Sequence, residues 1–552
     1  MSTLDEVLRR LRASDPIARA GIGGSPLAAG LAAAGVRFVA DGGSLEERWH
    51  RAVAELDRCI APLGGGRPVL SEGGVYHGTW LESTGTISAD VLGRFAPRVA
   101  RDTLLQFAAH QRDDGMIPYK ITPDGAGFSQ IQIVTPLARV VWRHYRRTGG
   151  DLGFLRTMHA AMARYDAWLA AFRDTRGTGA VEAFCAFDTG HDLSPRFWFA
   201  PERSFHGDAR RCDPDAQTVP YIAPDLTANV ACQRDYLARI AEELGEDGEP
   251  WYAASAASTA ALYAQCFDAA DGLFYDRDRR GAPVRIPSDV LLRVLACEVG
   301  DGAFFVSSLR RYLLNTRKFL AHHGFTSIAM DDPRFDPDPS RNSWGGPVNM
   351  LTLLRAPDPF EQHGHPAELA AVSMPVLAAL ATADRFPQCL DPWSGSPGFT
   401  EVYSPSILWF LDAVERYSGI LPQPDGEIWF SGLPPTRLDH GASASAIGYA
   451  RTIDGVRWEL VADDDTVEVH RDGVRAFAFP RGWRVEADAA GIVRSVVGIG
   501  AGVVRGELEL PTGSGAPASA VPLEVAPNAR FCLNGARVLS RTDVGFVAPV
   551  FD

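Results

Sequence analysis

The sequence predicts a mostly α fold, an (α/α)6 toroid followed by a small antiparallel β domain, and three observations carry that prediction. Apolar residues recur three or four apart in a long series of segments from residue 46 onward. Long connections rich in Gly, Pro, Asp and aromatic residues separate many of these segments. After Pro424 the pattern changes to short alternating or β-branched runs with turn residues between them.

Helical periodicity falls at 46–61, 97–112, 130–148, 151–173, 224–245, 250–268, 286–297, 303–321, 344–356, 365–383 and 404–417. The connections at 71–90, 113–129, 184–222, 324–343 and 386–403 are long for structureless loops in a compact domain, which marks them as functional. Paired helices in a ring accommodate them, because connections at one end converge over the axis while those at the other stay short. No fixed-period repeat supports a solenoid instead. Residues 1–44, rich in Ala and Gly with a short helix at 3–13, read as a lead-in to a toroid at 45–423. Residues 424–552 read as the β domain, with strands near 427–430, 446–452, 457–462, 466–470 and 476–479. Asp454-Gly455 and Asp472-Gly473 are hairpin turn signals, and 511–518 is a Gly/Ser/Pro loop.

Composition narrows the function classes. The 552 residues are 46% hydrophobic and 22% charged, a soluble globular balance. Against 68 acidic side chains stand 54 basic ones, a net charge of -14 without a Lys/Arg cluster, which argues against nucleic acid. The eight cysteines show no Cys-x-x-Cys spacing and read as free thiols. The amino terminus has no apolar core before a cleavage site, and no run approaches the roughly 20 apolar residues of a membrane span. These features predict a reducing cytoplasm and no membrane partner; a homo-oligomer is compatible with them.

The segment 187–197, Phe-Asp-Thr-Gly-His-Asp-Leu-Ser-Pro-Arg-Phe, gathers Asp188, His191, Asp192 and Arg196 around Gly190. Taken alone it fits a turn held by a salt bridge between Asp188 and Arg196 as well as it fits a site. Glu401 lies among aromatic and small residues just before a helix opening at Pro405, which suits either a partly desolvated carboxylate or a helix-entry Glu near a favourable dipole. His77, His191, His206, His363 and His365 show no zinc-like spacing with a third ligand, so no metal is expected.

Asp188-Thr189-Gly190-His191-Asp192-Leu193-Ser194-Pro195-Arg196 resembles the Glu-Ser-Gly-x-Asp-x-Ser-Pro-Arg hallmark of glycoside hydrolase family 63 and the mannosylglycerate and glucosylglycerate hydrolases, with trehalases more distant. Phe399-Thr400-Glu401-Val402-Tyr403-Ser404-Pro405 looks like that family's Phe-x-Glu-Tyr-Tyr-x-Pro. Further similar stretches are Gln106 to Pro118, Ser129-Gln130, Asp225 to Asn229 and Gly272 to Asp276, so the resemblance spans roughly 46–420. It implies Asp192 as general acid and Glu401 as general base of an inverting hydrolysis of a small carbohydrate or glycoconjugate, with no cofactor.

Two departures stand out. The family's Tyr-Trp-Arg-Gly-Pro-x-Trp loop appears as Ser343-Trp344-Gly345-Gly346-Pro347-Val348-Asn349, so its Arg has become Gly345 and its second Trp Asn349. Glu82 stands in the aromatic loop Tyr76 to Glu82 where the family places a sugar-holding Asp. Trp80, Trp344, Trp393 and Tyr403 are candidate ring platforms, and Gln130, Arg196 and Asn349 candidate partners for hydroxyls or an acidic aglycone. Phe187, Phe197 and Trp198 are expected to desolvate Asp192 and raise its pKa. The competing readings are an epimerase or lyase on the same fold, with His191 moving a proton, and a catalytically silent sugar-binding relative.

Overall fold

The computed structural model describes residues 3–63, 66–433, 444–511 and 519–551. The predicted loop at 511–518 lies almost wholly outside the described residues.

Six helices line the centre of the chain's helical region. They are Ser83–Ile87, a π-helical turn running on into Ser88–Leu92; Leu137–Arg147; Pro224–Glu243; Val290–Leu295; Met350–Arg355; and Ser404–Ser418. Each touches the next and the last touches the first, which closes a ring. Each is preceded in the chain by an outer partner: Leu45–Arg58, Pro97–Ala109, Leu152–Phe172, Glu249–Cys266, Gly302–Ser308 with Leu309–Leu313, and Pro366–Thr382. The fold is the (α/α)6 toroid. Every connection entering an inner helix is long and every connection leaving one for the next outer helix is short, so the amino-terminal ends of the inner helices share one face and carry the elaborate loops.

The amphipathic pattern finds eleven of these twelve positions and misses Ser83–Leu92. That segment, Ser-Thr-Gly-Thr-Ile-Ser-Ala-Asp-Val-Leu, is buried along Ser83 to Ala89 although half of it is polar or glycine. A helix surrounded by others needs no apolar stripe, so the period that reveals a surface helix is missing.

The β region is larger than its legible strands suggest. A seven-stranded antiparallel sheet runs in the order Arg37–Asp41, Ala446–Ile453, Val456–Ala462, Thr466–Arg471, Val474–Pro480, Val504–Leu510, Ser519–Val525. A six-stranded one runs Ile420–Pro422, Ile428–Ser431, Trp483–Ala487, Val493–Gly498, Ala529–Asn534, Arg537–Asp543. Phe430 of the smaller sheet packs 5.1 Å from both Trp458 and Phe477 of the larger, ring centre to ring centre. Both predicted hairpins turn with positive φ at two residues, Asp454 and Gly455 at 49° and 79°, Asp472 and Gly473 at 49° and 85°.

The amino-terminal stretch is more than a lead-in. Arg37–Asp41 pairs with Ala446–Ile453, Phe38 opposite Tyr449, and the Thr3–Ala13 helix lays Leu4, Val7 and Leu11 against Val39, Ala446, Ala450 and Val461. The strand is too short to show in the sequence, and its partner lies some 400 residues away. The eight cysteines are all free. Among the described residues no helix is long and apolar enough to cross a membrane.

Candidate active site

The loop bearing Asp192 is fixed from behind by two buried ion networks. Asp188 accepts from the backbone N–H groups of Phe184 at 2.6 Å, Cys185 at 3.3 Å and Ile131 at 3.0 Å, which winds residues 186–189 into a single turn. Its cation is Arg173, with Nη1 at 2.6 Å, and not Arg196 as the sequence suggests. Arg196 instead forks onto two other carboxylates, Asp225 at 3.0 Å and Asp276 at 2.8 Å, and the three are buried together. Removing one partner of such a buried network leaves an uncompensated charge and costs about 3–5 kcal/mol.

Gly190 ends the turn at φ +66°, and a Cβ there would stand 1.9 Å from Glu82 Oε2. Only glycine accommodates both the left-handed backbone and that neighbour. His191 follows with no exposed surface: Nδ1 lies 2.7 Å from Arg196 Nη1, Nε2 lies 2.9 Å from Asp289 Oδ1, and the ring packs 4.7 Å from Trp344. Burial and the Arg293 charge push its pKa down to about 3, so the ring is neutral and points into the scaffold. That placement weighs against His191 as a proton carrier.

Asp192 comes next and differs from every carboxylate behind it. Its backbone carbonyl accepts from Trp344 N–H at 2.9 Å, which ties the loop to the 343–349 segment. Its Oδ2 accepts from Asn342 Nδ2 at 2.6 Å, while Oδ1 is buried and has no bonding partner among the described residues. Burial, with the nearby Glu82 charge, raises its pKa to about 8 against smaller opposing effects of Asn342 and Arg293. At neutral pH this carboxyl keeps its proton. Of the three aromatic residues expected to cover it, Trp198 is 55% exposed, Phe197 packs on Tyr221 and Arg196, and Phe187 is half-buried.

Two further acids lie close by. Glu82 is buried with Oε1 3.4 Å from Arg355 Nη2 and 3.5 Å from Arg293 Nη2, and burial still raises its pKa. Glu72 is buried under hydrogen bonds from the Ser83 and Tyr403 hydroxyls, and desolvation raises it to about 7. Glu401, by contrast, is exposed. Its segment is held by Phe386 N–H donating to the Glu401 carbonyl at 2.8 Å, and Thr400 before it takes φ +60°, its hydroxyl accepting from Val75 N–H at 3.2 Å. The general-acid and general-base candidates thus occupy opposite environments, one partly enclosed and one wet.

The remaining candidates divide by exposure. Trp80 is half-buried against Tyr76 at 5.4 Å, with Lys120 Nζ 5.6 Å from its ring, and Trp393 is 51% exposed beside Phe335. Gln130 is 5% exposed, its Oε1 3.4 Å from the Ser129 hydroxyl. Trp344, Asn349 and Tyr403 are buried and belong to the frame. Trp344 stacks under Arg293 at 4.6 Å, Asn349 caps the Met350–Arg355 helix by accepting from Leu351 N–H, and Tyr403 bonds to Glu72. Asp188, His191 and Arg196 are likewise scaffold, because their polar atoms are turned toward buried partners. Sequence reasoning missed Asn342, Gln388, Glu72, Arg293 and Arg355. Asn342 adjoins the 343–349 segment and could have been found there; Arg293 and Arg355 stand in helices and Glu72 and Gln388 in connections, with no local signal.

Among the described residues no three His, Cys, Asp or Glu side chains converge as a metal site would require. The geometry is that of carboxylates gathered at the amino-terminal face of a helical ring.

Comparison with solved structures gives the same frame. A mannosylglycerate hydrolase of glycoside hydrolase family 63 from Thermus thermophilus, in complex with Tris and D-glycerate, superposes with a TM-score of 0.56 at 20% identity over 66% of this chain and 99% of that one. The neutral trehalase of Saccharomyces cerevisiae gives 0.50 at 14% identity, over 63% and 73%. A chain described as a sialidase gives 0.58 at 13% identity and covers 83% of this chain and 42% of its own length. No curated protein sequence matches. Residues 76–406, which hold the whole site from Tyr76 to the Ser404–Ser418 helix, match the mannosylglycerate hydrolase MGH1-like glycoside hydrolase domain, and the chain belongs to that family.

Proposed function

We infer that the protein is an inverting glycoside hydrolase of a small α-glucoside or α-mannoside, with Asp192 as general acid and Glu401 as general base. The observation that carries the reading is the state of Asp192: a carboxyl with its proton retained at neutral pH and one oxygen free of partners can protonate a departing glycosidic oxygen. Glu401, exposed and on a separate connection, supports the second half, in which its carboxylate activates water for attack on the opposite face of the ring. Inversion needs about 6.5–9.5 Å between the two carboxyls. The family's Arg, which contacts a sugar or its leaving group, is Gly345 here, so the subsite is remodelled away from an ordinary disaccharide; separately, the D-glycerate bound to the Thermus enzyme suggests a glycerate conjugate as one candidate. Eight unpaired thiols, six of them buried, support a reducing, cytoplasmic setting.

Proton NMR of fresh products tests the reading, with α-glucosides and α-mannosides, glycerate conjugates included. The β-anomer should appear first with the wild type and be lost in both Asp192→Asn and Glu401→Gln. Release of the α-anomer, or full turnover by either variant, would rule the assignment out.

A further inference from the structure

Three hydrogen bonds run in line behind Asp192. The Tyr76 hydroxyl donates to Gln388 Oε1 at 2.8 Å, Gln388 Nε2 donates to Asn342 Oδ1 at 2.9 Å, and Asn342 Nδ2 donates to Asp192 Oδ2 at 2.6 Å. The chain crosses three separate connections of the toroid, those before the first, the fifth and the sixth inner helices. Gln388 is 4% exposed and is held on both sides by its backbone, its N–H donating to Phe399 O at 2.9 Å and its carbonyl accepting from Met350 N–H at 2.9 Å.

An amide presents an acceptor on one side and donors on the other, so two amides in series transmit a direction. With Gln388 Oε1 turned to the phenol, its Nε2 faces Asn342 Oδ1, and the Asn342 amide group must then face Asp192. Reversing the chain would turn Asn342 Oδ1 toward Asp192, where only a protonated Oδ2 could bond to it. The sense of the chain therefore decides which carboxyl oxygen carries the proton.

We propose that Tyr76, Gln388 and Asn342 are positioning residues that keep Oδ2 of Asp192 as the hydrogen-bonded carbonyl oxygen and hold the acid's proton on Oδ1, the oxygen left free for a substrate. An inverting site of this kind gains twice. The proton is delivered from the oxygen with no competing bond, and the carbonyl oxygen is already paired when the carboxyl ionises, so the developing anion inherits a charge-assisted bond to Asn342 without rearrangement. The catalytic consequence rests on Asp192 being the general acid, while the placement of its proton does not.

The test separates the two. A difference infrared spectrum between low and high pH, wild type minus Asp192→Asn, isolates the Asp192 carbonyl stretch in the substrate-free protein. The wild type should show one band at the low frequency of a carbonyl accepting an N–H bond. Gln388→Met, close in size but with neither amide donor nor acceptor, frees the Asn342 amide to turn over. It should add a second component at higher frequency, from carboxyls whose proton sits on Oδ2. Tyr76→Phe should do the same if Gln388→Met does not fold. A single unmoved band in the folded variant overturns the relay.

Kinetics then reads the catalytic part. Gln388→Met should lower turnover of methyl α-glucoside or methyl α-mannoside about 10-fold, a fraction of the roughly 10²–10⁴-fold that general acid catalysis supplies. The matching α-glycosyl fluorides, whose leaving group needs less proton assistance, should change by less than about threefold on the same reasoning. Equal losses on both substrates would reduce the relay to a structural prop. If instead the band shifts as expected but Asp192→Asn hydrolyses the methyl glycosides at the wild-type rate, the proton placement stands and the general-acid assignment falls.

Discussion

Both ends of the helical ring hold acids paired with arginines, and the amino-terminal end adds two whose bonding partners are uncharged. Where the inner helices end, at their carboxy-terminal face, each carboxylate has arginines. Asp90 sits between Arg143 and Arg147, Asp358 between Arg139 and Arg143, and Asp412 between Arg94 and Arg416. Their charges pull all three acids below the usual carboxylate range, Asp412 to about 2, around a cleft of about 530 Å³. At the amino-terminal face, beside carboxylates that do have arginines, such as Asp225 with Arg196 and Arg293, two acids run the other way. Asp192 has an amide for its partner and rises to about 8, and Glu72 has only hydroxyls and rises to about 7. Helix dipoles favour anions at the amino-terminal ends and cations at the others. The arginines follow that preference, while Asp192 and Glu72 resist it because burial without a paired cation outweighs a dipole. One end is stapled by ionised pairs; the other adds to its own pairs two acids that keep protons available.

Asp192→Asn breaks the comparison most directly. Turnover should fall by about 10³-fold or more. Because the folded-state pKa of Asp192 is raised, the wild type binds the proton more tightly folded than unfolded. Its contribution to stability is complete in acid and is lost as pH rises toward about 8. The variant should therefore melt higher than the wild type at pH 8 and show no such gain at pH 4, and wild-type activity should decline as pH passes about 8. A variant that is inactive and also destabilised at pH 8 would mean that Asp192 is another staple.

Arg94→Met probes the stapled end, where Arg94 also lies 2.9 Å from Glu415. It should cost about 3–5 kcal/mol in unfolding free energy and leave the pH profile of turnover where it was. A shifted profile would show that the two ends communicate. Gly190→Ala should cost about 1–3 kcal/mol and lower turnover, since Glu82 must move to admit the methyl group and takes the Asp192 loop with it. Trp393→Ala, at an exposed rim position, is expected to change stability by less than about 0.5 kcal/mol and to appear only as a weaker apparent affinity for substrate.

Much of the site was readable as residues and much less as roles. The 187–197 segment announces itself because a tight turn, two carboxylates and an arginine are compressed into one loop. Yet the polar atoms of Asp188, His191 and Arg196 are taken up by buried partners that hold the loop. Their partners Arg173, Asp289, Asp225 and Asp276 come from four other places in the chain, and no local pattern gives those pairings. Asn349 and Tyr403 make the same point: a polar side chain just before a helix serves the helix start or a buried partner as readily as a ligand.

What the sequence determined alone was the ring and the loops that crown it, since amphipathic period, loop length and turn residues are local properties that survive without tertiary information. It also supplied Asp192 and Glu401 by resemblance. Only the tertiary structure decided that a helix of small polar residues at Ser83–Leu92 completes the ring, that a strand at Arg37–Asp41 belongs to a sheet built some 400 residues later, and that Asp192 lacks the cation its neighbours have. Each of those depends on what surrounds a residue. The free energy of a buried charge is set by partners that the chain brings together only when it folds.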